Sequence, residues 1–198
     1  MRSSDRPFSY LRFEFIVDLL ILATAALLWV ITAKGQPAGP PTTTNVTAPE
    51  LVGGPWLNTP DGNPISLASR RGKVTIVHFW TFGCINCQHN LPSYARWHKQ
   101  FADKGVALIG VHTPETEEER VKANVIRRVK QLGIEYPVLL DQDETNWRRW
   151  KQRYWPTVYL IDKKGRVCFQ WIGELNYENS GGEARMAELV EELLKEPS

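Results

Sequence analysis

Cysteine is scarce in this chain. Three residues in 198 exclude a disulfide-scaffolded fold, and the odd number leaves Cys168 without an obvious intramolecular partner. No second cysteine pair follows the first at ligand spacing, which argues against a structural zinc site. Charge of one sign is equally lacking. Lys and Arg total 24 against 22 Asp and Glu, a formal charge of +2, so there is no basic excess to recruit nucleic acid. There is no internal repeat. The composition that remains, 42% hydrophobic, 11% aromatic and 23% charged, is that of one ordinary globular domain with additions. It is large enough to bury a core without covalent staples.

Long apolar runs are confined to the start of the chain. Residues 15–33, FIVDLLILATAALLWVITA, are apolar apart from Asp18 and threonines, close to the roughly 20 residues a spanning helix needs. Asp18 is accommodated most cheaply at the headgroups. Arg2, Arg6 and Arg12 precede the run and outweigh Asp5 and Glu14, so the positive-inside rule assigns residues 1–14 to the cytoplasm and all that follows Lys34 to the other side. The rival reading is a cleaved secretory signal ending near Ala33-Lys34-Gly35. The length of the apolar core favours an anchor, and both readings deliver the domain to the same extracytoplasmic, periplasm-like compartment. Residues 34–50, rich in Pro and Thr without apolar periodicity, read as an extended linker. The folded domain is then 51–198.

Within that domain strands and helices alternate. Val74–Trp80 is a short apolar run rich in β-branched and aromatic residues and ended by glycine, the pattern of a buried strand. Val106–His112 and Tyr136–Leu140 are further strands, and Thr157–Ile161 turns through Asp162–Gly165 into Arg166–Ile172. Ile65–Leu67 reads as a short edge strand and Glu144–Tyr154 as a short helix. Thr116 with Glu119 forms a capping box opening a helix with the stripe Val121, Val125, Val129 and Leu132. A final helix after Gly181-Gly182 carries Met186, Leu189, Val190, Leu193 and Leu194 on one face. The expected fold is a three-layer α/β/α sandwich with a central mixed sheet.

Cys84 and Cys87 follow the first buried strand. If a helix begins near Cys84, the two sulfurs lie one turn apart on the same face, a separation suited to a disulfide. Cys84 would also stand at a helix N-terminus, where free N–H groups and the macrodipole stabilise a thiolate. Functional groups in such sheets collect beyond the carboxyl ends of the parallel strands, which places Glu115 near the cysteines. An antiparallel Thr157 strand brings Trp155-Pro156 to the same edge.

The pattern Trp-x-x-x-Cys-x-x-Cys after a strand (Trp80–Cys87), followed by a distant Pro-Thr before Leu-Ile-Asp and a Lys-x-Gly turn, resembles the thioredoxin superfamily. More narrowly the chain is similar to membrane-tethered TlpA/ResA-type thiol-disulfide oxidoreductases, with an added helix–strand unit at 117–140. It most resembles the redoxin domain of DipZ-like proteins, where Val-His-Thr-Pro-Glu (Val111–Glu115) and Tyr-Trp-Pro (Tyr154–Pro156) recur. The resemblance implies that Cys84 is the nucleophile and Cys87 the resolving thiol, with no cofactor beyond their redox-active disulfide. It implies that Pro156 is cis, that Trp155, Pro156 and Trp80 contact substrate, and that Glu115 is a buried proton acceptor or relay. The implied partners are protein thiols and disulfides together with a membrane electron donor or other redox protein. Ile85-Asn86 stands between the cysteines where thioredoxin has Gly-Pro, so the direction of electron flow does not carry over.

Two rival functions use the same residues. A copper chaperone would add a histidine to the two thiolates, with His112 best placed. A thiol peroxidase is suggested by Thr81, three residues before Cys84, although Val77 stands where that motif has proline. His78, alternating with apolar neighbours, reads as a satisfied core histidine, His89 as an exposed helix residue, and Cys168 as a buried small hydrophobe.

Overall fold

The computed structural model describes residues 42–197. Seven strands form one sheet: β1 (Thr42–Thr47), β2 (Trp56–Leu57), β3 (Thr75–Trp80), β4 (Ala107–His112), β5 (Val138–Leu140), β6 (Thr157–Ile161) and β7 (Arg166–Ile172), in the order β1-β7-β6-β3-β4-β5-β2. β3, β4 and β5 run parallel; β6 is antiparallel to β3, β7 to β6, β1 to β7 and β2 to β5. The sheet is therefore mixed, as expected. Five α-helices accompany it among the described residues: α1 (Ile85–Phe101), α2 (Glu117–Arg120), α3 (Lys122–Gln131), α4 (Thr145–Arg149) and α5 (Gly182–Lys195).

All six residues of β3 are buried, and their alternation sends side chains to two different layers. Ile76 and Trp80 join Cys87, Tyr94 and Trp97 of α1, Val125 and Val129 of α3, and Met186, Leu189, Val190 and Leu193 of α5 in one core. Val77 and Phe79 face the other way, toward Leu51, Trp56, Leu67 and Trp150. The sandwich is thus lopsided. Three helices cover one face, whereas the other is closed by α4 and the irregular segment before β3, a thinner second layer than alternating helices would make.

Four boundaries differ from the sequence expectation, the simplest being the helix expected over Glu144–Tyr154, which spans only Thr145–Arg149. The linker assigned to 34–50 ends early, because Thr42–Thr47 pairs with β7 and Thr44 Oγ1 donates to the Val167 carbonyl at 2.6 Å. Threonine is polar yet β-branched, so a run that looks solvated satisfies the open edge of β7. The second edge strand is Trp56–Leu57 rather than Ile65–Leu67; it follows a cis Gly54–Pro55 bond and is too short to carry a periodic signal. The capping box at Thr116 and Glu119 is present, but the helix it opens breaks at Val121, which is extended (φ −79°, ψ 105°) and exposed. Val125 and Val129 of the expected stripe are buried in α3.

Among the described residues no helix is long and apolar enough to cross a membrane. The span expected at 15–33 and the segment 1–14 lie outside the described residues.

Candidate active site

Register aligns the chemistry at one sheet edge. Trp80 pairs with His112, His112 with Leu140, and Phe79 with Thr157. The segments leaving β3, β4 and β5 and the one entering β6 therefore emerge together, and these segments carry Cys84, Glu115, Asp141 and Trp155-Pro156.

Cys84 is the N-cap of α1, with extended backbone (φ −77°, ψ 112°), and its Sγ accepts the Cys87 N–H at 3.3 Å. This is the geometry in which a helix start stabilises an anion. The Cys87 side chain, followed by the backbone N–H groups of Cys87 and Asn86, lowers the Cys84 pKa to about 7, while burial and the Glu115 charge push it up. Cys87, one turn along, is fully buried. Burial first, and then the Cys84 sulfur, hold its thiol well above the ordinary range. One sulfur is therefore partly exposed and easily ionised, the other buried and held neutral.

The Trp155–Pro156 bond is cis, as the resemblance implied. Pro156 is buried and Trp155 partly so, its indole stacked on Trp147 at 4.0 Å with the planes 26° apart. Tyr154 beside it is 58% exposed. Trp147 is held in turn by Asp141, which is buried and accepts the N–H groups of Asn146 (2.8 Å) and Trp147 (2.9 Å) and the Thr113 hydroxyl (3.0 Å).

Two expected site residues are placed differently. Trp80 is completely buried, because its position in β3 sends it beneath α1 against His112 (ring centroids 5.1 Å apart); it cannot touch a substrate. Glu115 is exposed, not buried. Its charge still reaches both thiols, raising the pKa of each, so it belongs to the mouth of the site. The buried carboxylate is Glu119, 1% exposed. Its Oε1 accepts the Gly83 N–H at 2.7 Å, and its Oε2 accepts the N–H groups of Glu115 (2.8 Å) and Thr116 (2.9 Å) and the Thr116 hydroxyl (3.2 Å). Burial pushes its pKa up, but the Thr81 hydroxyl and these N–H donors outweigh it and the net shift is downward. The capping-box spacing was the available signal for Glu119; its second bond, to the turn before Cys84, had none.

Asn90, buried three residues after Cys87, was also missed as a functional position. It accepts the Leu175 N–H at 2.8 Å and donates to the Gly173 carbonyl at 3.2 Å, locking α1 to the segment after β7. A polar residue on the inward stripe of the cysteine helix was the clue.

The histidines do not complete a metal set. His112 is buried between Trp80 and Phe82 with Nε2 3.5 Å from the Thr81 hydroxyl, and burial lowers its pKa to about 4. Among the described residues no group of three His, Cys, Asp or Glu is arranged to hold a metal ion. His78 is in the core, stacked on Tyr94 at 4.1 Å, but it is not satisfied: neither ring nitrogen has a hydrogen-bond partner among the described residues. His89 is exposed, with Nδ1 3.0 Å from Glu174. Cys168 is buried in β7, which raises its pKa to about 11.

Comparison with known proteins agrees with this geometry. Residues 45–170 match the AhpC/TSA family model. The chain belongs to the AhpC/TSA family. It is 47% identical over 132 residues to DipZ of Mycobacterium tuberculosis, an alignment covering 66% of this chain but only 19% of DipZ. It is 30% identical over 122 residues to the thiol-disulfide oxidoreductase ResA of Bacillus anthracis, covering 62% of this chain and 68% of ResA. The crystal structure of a thioredoxin-like superfamily protein superposes with a TM-score of 0.69 at 25% identity, over 77% of this chain and 99% of that one. The fold is thioredoxin-like.

Proposed function

We propose that this protein is a membrane-tethered, extracytoplasmic thiol-disulfide oxidoreductase that exchanges disulfides with protein substrates through Cys84 and Cys87. The observation carrying this reading is the asymmetry of the pair: Cys84 is partly exposed at the α1 N-cap with a pKa of about 7, and Cys87 is buried and neutral behind it. The Cys84 thiolate attacks one sulfur of a substrate disulfide. A mixed disulfide forms, and the other substrate sulfur leaves as a thiolate and takes up a proton. Cys87 then gives up its proton and attacks Cys84, closing the Cys84–Cys87 disulfide and releasing the second substrate thiol. Two electrons pass from the pair to the substrate, and a thiol-bearing redox partner must return them. In the reverse direction the oxidised pair accepts electrons from substrate thiols.

Glu115, exposed at the mouth and within electrostatic reach of both sulfurs, is suited to take the Cys87 proton. Trp155 and the exposed Tyr154 beside it present the surface against which a substrate segment lies, and Pro156, buried, joins them to β6. The reading needs no cofactor beyond the cysteine pair. The tether rests on the apolar run 15–33 and the arginines before it, which keep the cysteines on the far side of the bilayer.

An insulin-reduction assay tests the chemistry. Cys84→Ser abolishes turnover, and Cys87→Ser, which cannot resolve the intermediate, accumulates a substrate-linked species that runs at higher mass on non-reducing gels. Full activity in Cys84→Ser would refute the mechanism.

A further inference from the structure

A capping-box glutamate ordinarily uses its carboxylate within its own turn, reaching back to the N-cap N–H. Glu119 does this with one oxygen, toward Thr116 and Glu115, and uses the other on Gly83, 36 residues earlier in the chain and directly before the nucleophile. The contact is close enough that any side chain at position 83 must displace the carboxylate. A Cβ built on Gly83 would lie 2.8 Å from Glu119 Oε1 and 3.6 Å from its Cδ. The backbone at Gly83 is not left-handed, so what a side chain there would disturb is the approach of the carboxylate and not the local φ.

We infer that Glu119 is a positioning residue for the exchange reaction: its buried carboxylate clamps the Gly83 peptide to the loop that carries Glu115, and so holds Cys84 at the N-cap of α1. The inference rests on Cys84 being the nucleophile. Two consequences follow from the geometry. The Gly83 N–H precedes the Cys84 peptide by one bond pair, so fixing it limits how far the Cys84 backbone can turn from the extended conformation in which Sγ faces the Cys87 N–H. The same carboxylate fixes the Glu115 N–H, which sets the position of the Glu115 backbone against the cysteines. A charged carboxylate suits this task because four donors converge on its two oxygens. A glutamine has one acceptor oxygen and an NH2 group, so one side of the link must face a donor and open.

The test is Glu119→Gln in the full-length reduced protein, read by the pH titration of the Cys84 thiolate absorbance, the rate of insulin reduction, and denaturant unfolding. The expected result is a rise of about one unit in the Cys84 pKa, which cuts the thiolate fraction at pH 7 and the rate by about fivefold. Glu118→Gln, one residue away on an exposed side chain, should leave both unchanged. If Glu119→Gln does not fold, Gly83→Ala decides, because its methyl must push Oε1 off while leaving the Thr116 cap in place. The same shift is expected. A folded variant with reduced stability but an unchanged Cys84 pKa would make Glu119 a helix cap only and overturn the inference. Cys84→Ser run in parallel separates the two levels: if it stays active the exchange mechanism itself fails, whereas an inactive Cys84→Ser beside an unaffected Glu119→Gln removes only the role of Glu119.

Discussion

Cys84 and Cys87 are the same amino acid one helical turn apart, and their environments drive them in opposite directions. Cys84 gains N–H groups and a neighbouring thiol at a helix start, which together outweigh partial burial; Cys87 gains burial and a neighbouring sulfur that disfavours a second charge. Attack on a disulfide requires thiolate, so the rate of the reduced protein with a small disulfide should follow the ionisation of Cys84 alone. It is expected to rise through pH 7 and to level off by about pH 8, well below the ordinary thiol range of about 8.5. Iodoacetamide alkylation followed by peptide mass analysis checks this: Cys84 should label with the same pH midpoint, while Cys87 and Cys168 stay unlabelled in the native protein. Labelling of Cys87 at the rate of Cys84 would contradict the asymmetry.

The elements explain why the site forms where it does, and how far that could be read beforehand. β3 and α1 were legible because their signals are local: an apolar β-branched run, a glycine, then a cysteine at a helix start. The placement of Cys84 and Trp155-Pro156 at one sheet edge was legible through topology, since β6 pairs antiparallel with β3. The choice between Glu115 and Glu119 was not. Both lie in one acidic stretch, and which turns inward is decided by a glycine N–H on another element. The period-two alternation of β3 already placed Trp80 on the same side as Ile76, so its burial under α1 could have been read from the strand pattern. β1 escaped notice because its threonines look like linker while they pair with β7. That strand should matter to stability. Removing residues 1–47 exposes the β7 edge and leaves the Val167 carbonyl without the Thr44 hydroxyl, whereas removing 1–41 keeps β1. Thermal unfolding should place the shorter chain roughly 5 °C lower, the shift expected for a loss of about 2 kcal/mol in a domain of this size, with a greater tendency to associate through the open strand edge. Equal midpoints would mean β1 contributes nothing.

For the molecule as a whole, the two shifted thiols couple stability to both pH and redox state. Cys84 titrates at about 7 in the folded reduced protein and near 8.5 in the unfolded chain. Between those values the unfolded state holds more protons, so folding stability rises with pH and the gain is lost again as pH falls through 7. Cys87 behaves oppositely: its folded thiol stays protonated above the range where the unfolded thiol ionises, so stability falls as pH rises past about 8.5. Cys168, raised to about 11, adds a fall of the same sign, but it does so in either redox state. In the oxidised protein Cys84 and Cys87 are joined and neither titrates, folded or unfolded. The difference in unfolding free energy between reduced and oxidised protein therefore isolates the pair, because every other titrating group cancels. That difference should climb from pH 7 to a maximum near pH 8.5 and then decline, which urea unfolding of both forms across pH 6–10 would measure. A difference that is flat, or that falls steadily from pH 7, would mean that Cys84 is not stabilised as a thiolate in the fold, and the distinction between attacking and resolving sulfur would lose its physical basis.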